Sequence, residues 1–183
     1  MYVQRHLCRY RLRRIASRKP LVDKMKITEP NRVIRTYTQQ LVAEPSKVFP
    51  LLCPVREADW IDGWDPLAVF SRSGVAETDC VFVTEANPSN AIWYITRHES
   101  SNGFVEMIKI TPGITACKLT IQLRPVRDGS EATITYAHTS LGPEGDAFVA
   151  SFTEEHYRTF MRDWEARINH YLSKGSILRT ADS

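Results

Sequence analysis

The side chains able to do chemistry are few and widely spaced. Of the five histidines, His98, His138 and His156 are the candidates for a chemical role inside patterned segments. A histidine titrates near neutral pH and can serve as general acid, general base or hydrogen-bond partner. A metal set of His138, His156 and Glu106 would have to be gathered from three separate elements. No local pair of the H-x-x-x-H kind supports it, so no metal site is expected. Cys8, Cys53, Cys80 and Cys117 form no C-x-x-C pair and sit among apolar residues. They read as buried free thiols in a reducing, cytoplasmic setting. No nucleophile elbow, P-loop or G-x-G-x-x-G occurs, and no cofactor is expected. Gly142 and Gly145 flank a helix start, where an anion can sit. Trp60 and Trp64 are four apart. On a helical turn they would share one side, capping the core or forming a lid over a cavity mouth.

Positioning such residues requires regular elements. Arg32–Ala43 alternates and is rich in β-branched residues, so it reads as a strand. Glu44-Pro45-Ser46 breaks it, and Ser46 can cap a short helix through Val48, Phe49, Leu51 and Leu52. A second short segment, EADWIDGW, follows. Six strands come next: Ala68–Ser73, Cys80–Glu85, Ala91–Glu99, Phe104–Thr111, Ala116–Val126 and Glu131–Ser140. Asn102-Gly103, Pro112-Gly113 and Asp128-Gly129 separate the last four, and the Asn-Gly and Asp-Gly pairs are strong hairpin signals. Gly142-Pro143-Glu144 starts a helix that should run from about Asp146 to Ser173 and stop at Lys174-Gly175. Phe152, His156, Phe160, Trp164, Ile168 and Tyr171 mark its apolar face.

Taking all three hairpins as two-residue turns predicts a register. Arg97 would oppose Ile108, Glu106 would oppose Leu119, and Ile121 would oppose Tyr136. Trp93, Ile95, Arg97, Glu106, Ile108, Ile110, Cys117, Leu119, Ile121, Leu123, Ile134, Tyr136 and His138 then share a buried face. His98 and Lys109 would point outward. Polar groups on a buried face must pair, bind water or meet a cavity. Arg97 and Glu106 either form a structural ion pair or floor a cavity for a ligand.

The length of 183 residues and the 43% apolar share suit one domain with a sizeable core. No run approaches the ~20 apolar residues of a membrane span. The formal charge of +3 is unevenly placed. Residues 1–26 hold nine Lys/Arg against Asp23, while residues 27–183 carry a net −5. The mildly acidic body argues against nucleic acid as a partner. The basic leader 1–26 is a disordered tail, upstream sequence before a start at Met25, or a transit-like segment. Residues 27–175 form the domain and 176–183 a tail.

One strand, two short helices, six strands and a long C-terminal helix: this order resembles the helix-grip fold of the START and polyketide cyclase (SRPBCC) superfamily. The stretches "TYTQQLVAEPSKVFPLLCPVREADWIDGW" and "FTEEHYRTFMRDWEARINHYL" carry the resemblance, which covers about Val33 to Leu172. It implies an α+β domain of about seven strands curved around the helix, with a cavity between them. The superfamily has no shared catalytic set, so none is implied.

Three function classes follow. The first is a carrier of a small, largely apolar molecule with one polar group. Its walls would be Trp93, Ile108, Leu119, Ile121, Phe152 and Phe160, and its polar end Arg97, Glu106, Tyr136 or His138, with His156 approaching from the helix. The second is a cyclase- or dehydratase-like enzyme using the same cavity. The third is a protein-binding adaptor. The sequence also admits a homodimer.

Overall fold

A computed structural model describes residues 27–179. The leader 1–26, with Cys8, and the end of the tail lie outside the described residues. Seven strands form one antiparallel sheet in the order β1-β7-β6-β5-β4-β3-β2. They are β1 Arg32–Leu41, β2 Ala68–Phe70, β3 Val81–Thr84, β4 Ala91–Glu99, β5 Phe104–Thr111, β6 Thr115–Val126 and β7 Gly129–Ser140. Between β1 and β2 lie a short helix α1, Pro45–Val48, and two 3-10 turns, Phe49–Leu51 and Arg56–Asp59. The helix cap is Glu44 with Pro45 in the first turn, not Ser46, and it makes no side-chain cap bond.

The predicted C-terminal helix is two helices. α2 spans Pro143–Ser151 and α3 spans Glu154–Lys174. The chain leaves the helix at Phe152 and restarts at Thr153, whose hydroxyl accepts a hydrogen bond from His156 N at 3.2 Å. Thr153 followed by Glu154 and Glu155 is a helix-start signal in the sequence itself. The restart rotates the first turns of the buried stripe by one residue, while Ile168 is buried where the pattern placed it. Tyr157, Met161 and Ile168 are the buried positions, whereas His156 and Phe160 sit at the rim. α3 ends at Gly175 in the left-handed conformation, as expected.

α3 is pinned to the edge strand β1. Glu165 Oε1 accepts from Gln40 N at 3.0 Å and Asn169 Oδ1 accepts from Val42 N at 3.0 Å. Asn169 Nδ2 donates to Gln40 O at 2.8 Å, and buried Gln39 donates to Met161 O at 2.9 Å. Helix side chains one turn apart thus satisfy the backbone groups that an edge strand leaves open. The core lies between the sheet and α3, with Ile95, Val105, Ile134, Tyr157 and Met161 essentially inaccessible. Gly145 lets α2 approach the β5–β6 connection, because a Cβ there would stand 1.9 Å from Ile114 O.

Candidate functional site: a cavity under the C-terminal helices

The sheet, α2, α3 and the segment around Pro54–Trp64 enclose a cavity of about 470 Å³. Its position follows from the register. The β4–β5 loop holds four residues, Ser100–Gly103, instead of the expected two, and this even slip leaves the faces unchanged; two other differences alter the faces. β4 carries a bulge between Ile95 and Arg97, so Thr96 is an extra residue. The β5–β6 loop holds three residues, since Thr111 pairs with Thr115. Each insertion shifts the alternation by one, and together they turn β5 over relative to the prediction.

The consequences are specific. Ile95, Met107, Leu119 and Tyr136 form one concave row, and Trp93, Lys109, Cys117 and His138 form the next. Arg97, Glu106 and Ile108 face outward, none of them lining the cavity. Arg97 is exposed, donates to Glu99 Oε1 at 2.8 Å and lies over the Phe104 ring. Glu106 accepts from Thr96 Oγ1 at 2.9 Å and stands 3.8 Å from Lys118 Nζ. The expected Arg97–Glu106 floor therefore does not exist, although the two are cross-strand neighbours. The metal set of His138, His156 and Glu106 cannot assemble either, because Glu106 is on the other face. Among the described residues no three His, Cys, Asp or Glu side chains cluster to hold a metal. His98, expected outside, is half-buried against Phe49, with ring centroids 4.7 Å apart.

β6 and β7 carry the predicted faces. Leu119, Ile121, Tyr136 and His138 line the cavity, joined by Trp93, Phe152, His156 and Phe160. Trp93 stacks on Phe82 with centroids 5.2 Å apart and donates to Thr84 Oγ1 at 3.0 Å. The sequence reading missed Lys109, Glu57, Met107 and Phe148, which also line the space. For Lys109 and Met107 a signal was present. Pro-Gly at the centre of a turn favours type II, and Ile114 N bonds Thr111 O at 3.0 Å with Gly113 at φ 76°. Type II geometry splays a two-residue hairpin, so the extra residue Ile114 is required.

The two tryptophans divide their roles. Trp60 is fully buried, donates to Leu51 O at 3.2 Å and meets Trp164 edge-on. Trp64 donates to Pro54 O at 2.7 Å and lines the cavity.

Polar groups facing the cavity are strongly perturbed. His138 is 4% exposed, packed against Phe148 and Phe152 at 4.8 and 4.7 Å, and its Nδ1 is buried without a partner. Desolvation, and then the charge of Lys109, pull its pKa down to about 4. The Tyr136 hydroxyl is held well above its usual range by desolvation. Burial pushes the Glu57 carboxyl up to about 8 and, in the sheet behind the cavity, the Cys117 thiol up to about 12. Lys109 is lowered by desolvation, and its Nζ lies 4.8 Å from the Trp93 ring centroid. At neutral pH the site thus presents a neutral imidazole, an un-ionised phenol and a protonated carboxyl. These are groups suited to hydrogen bonding or proton transfer.

No family model and no curated protein sequence matches this chain. Its likeness is to solved structures. Truncated norcoclaurine synthase from Thalictrum flavum is 12% identical, with a TM-score of 0.61 over 82% of this chain and 99% of that one. A structural-genomics protein from Rhodobacter sphaeroides is 14% identical, with a TM-score of 0.57 over 78% and 91%. DynU16, from the dynemicin biosynthetic locus, is 16% identical, with a TM-score of 0.53 over 78% of this chain and 48% of that one. Element order, sheet topology and these likenesses agree, and the chain has the helix-grip α+β fold.

Proposed function

We propose that this protein binds a small, largely apolar molecule in the cavity between the sheet and the C-terminal helices. The observation that carries this reading is the cavity itself, about 470 Å³ with mostly apolar walls and a few polar side chains among them. The lining also includes Lys109, Tyr136 and His138, polar groups to which a ligand can offer a partner. A filled core would instead have favoured the adaptor. The buried, unbridged thiols of Cys53, Cys80 and Cys117 suit a reducing compartment such as the cytoplasm.

A catalytic version of the same reading draws on the shifted ionisations of Tyr136, His138, Lys109 and Glu57. Such clusters concentrate in active sites, and a cyclase- or dehydratase-like proton transfer would use them. The name norcoclaurine synthase belongs to a protein of the same fold and lends the catalytic version support.

Binding of the neutral fluorophore N-phenyl-1-naphthylamine tests the cavity. Saturable one-to-one binding is expected, and Leu119→Trp should weaken it by taking up part of the space while circular dichroism stays native. Absence of saturable binding to the native protein would refute the reading.

A further inference from the structure

The concave row Trp93, Lys109, Cys117 and His138 runs across four adjacent strands. It contains a cation without a counter-ion. Lys109 lines the cavity, packs its ammonium over Trp93, and forms no ion pair among the described residues. The other charges around the cavity are accounted for. Arg167 holds Asp163 at 2.7 Å, and Glu85 is exposed to solvent. Glu57 makes no ion pair with Lys109, and its carboxyl is protonated below about pH 8.

Two strands from Lys109 stands His138, with Nδ1 buried and unpartnered. Strand spacing puts the two backbones roughly 10 Å apart, a gap that one lysine and one imidazole side chain can narrow to the size of a carboxylate. A cation enclosed by apolar walls is costly without an anion, and a charge-assisted hydrogen bond from it is correspondingly strong.

We propose that the cavity selects apolar carboxylic acids, with the carboxylate held by Lys109 Nζ and supported by the His138 imidazole. The inference rests on the cavity being a ligand site and names the polar group that site accepts. It moves the polar end of the ligand away from Arg97 and Glu106, on the outer face, to a residue on the inner face of β5. The imidazole of His138 lines the cavity and can donate an N–H to the second carboxylate oxygen. The chain of the acid then extends along Met107, Leu119 and Phe152.

The test compares 11-(dansylamino)undecanoic acid with its methyl ester by fluorescence titration at pH 7. The native protein should bind the acid at least about tenfold more tightly than the ester, as one charge-assisted bond in a dry site implies. Lys109→Met should bring the acid down to the affinity of the ester. Equal binding of acid and ester by the native protein would overturn the carboxylate proposal and leave the cavity reading standing. A preference for the acid that survives Lys109→Met would overturn the assignment to Lys109. Binding of neither compound, nor of N-phenyl-1-naphthylamine, would overturn both. Should Lys109→Met fail to fold, the native comparison of acid with ester decides alone.

Discussion

The β6–β7 hairpin and the β4–β5 hairpin are both long antiparallel pairs facing the same cavity, yet they obey different rules. β6 and β7 pair without interruption from Thr115 opposite Ser140 to Val126 opposite Gly129. Alternation counted from any residue gives the correct face everywhere. The expected turn at Asp128-Gly129 sits one residue earlier, at Arg127-Asp128, and the resulting register slip of two preserves the faces. In β4–β5 the register breaks at Thr96, so counting from Trp93 and counting from Arg97 give opposite answers. A single unpaired residue thus outweighs the hydrophobic pattern of a whole strand, because side-chain direction has a period of two.

Deletions test this contrast most severely. Removing Thr120 from the middle of β6 would turn half of that strand over and drive Leu119 or Ile121 out of the core. The expected loss exceeds about 4 kcal/mol, most of the stability of a marginal domain. Removing Thr96 takes out the unpaired residue and leaves every other face intact. Its cost should be about 1–2 kcal/mol, from the hydroxyl bonds to Glu106 and the local bend. Urea denaturation of the two deletions measures the difference, and equal losses would contradict the assigned bulge.

The next contrast lies within β5. Met107 is 6% exposed and Ile108 is half-buried on the outer face. Met107→Asp should cost about 4 kcal/mol and Ile108→Asp about 1 kcal/mol, since only the first places a charge against the cavity wall. The reverse order would restore the register expected from two-residue turns.

A smaller effect sharpens the comparison on the side of β7. Phe152 is 6% exposed and touches the rings of His138, Phe148 and Tyr157. Phe160 is 42% exposed at the rim. Phe152→Ala should cost about 2–3 kcal/mol, below the ~3–5 kcal/mol of a close-packed site because the cavity already borders it. Phe160→Ala should cost less than about 1 kcal/mol. Chemical denaturation checks both, and a larger loss at Phe160 would refute the rotated helix stripe.

The smallest effect is pH dependence. His138 has a folded pKa of about 4 against an ordinary 6.5. Between those values the unfolded chain binds a proton that the folded protein refuses, so stability falls as pH drops from 6.5 towards 4. His138→Gln should flatten that limb by up to about 2 kcal/mol, since access of water to the cavity lessens the full effect. Thermal melts of both proteins at pH 4.5 and 7 give the comparison. An unchanged difference would show that another group drives the acid limb.

Much of the fold was legible in the sequence for local reasons. β4 and β5 begin and end where alternation and turn residues place them. Pro143 opens a helix and Gly175 closes one, through fixed φ and through tolerance of the left-handed region respectively. His138, Tyr136, Leu119 and Ile121 were placed on the cavity face because nothing interrupts β6 and β7. Thr153, by contrast, was overlooked inside an apolar helical pattern, which hid the restart that moves Tyr157 and Met161 inward.

The sequence alone determined the seven strands, their order along the chain, and the inner face of β6 and β7. Each of these rests on propensities and periodicities confined to a few neighbouring residues. Only the tertiary structure decided that β5 is turned over, that Lys109 rather than Arg97 and Glu106 meets the cavity, and that His98 is covered. The physical reason is that an extra residue such as Thr96 is set by how the curved sheet must bend to close around α3. That bend satisfies strands distant in the chain and leaves no local signature in the residue that absorbs it.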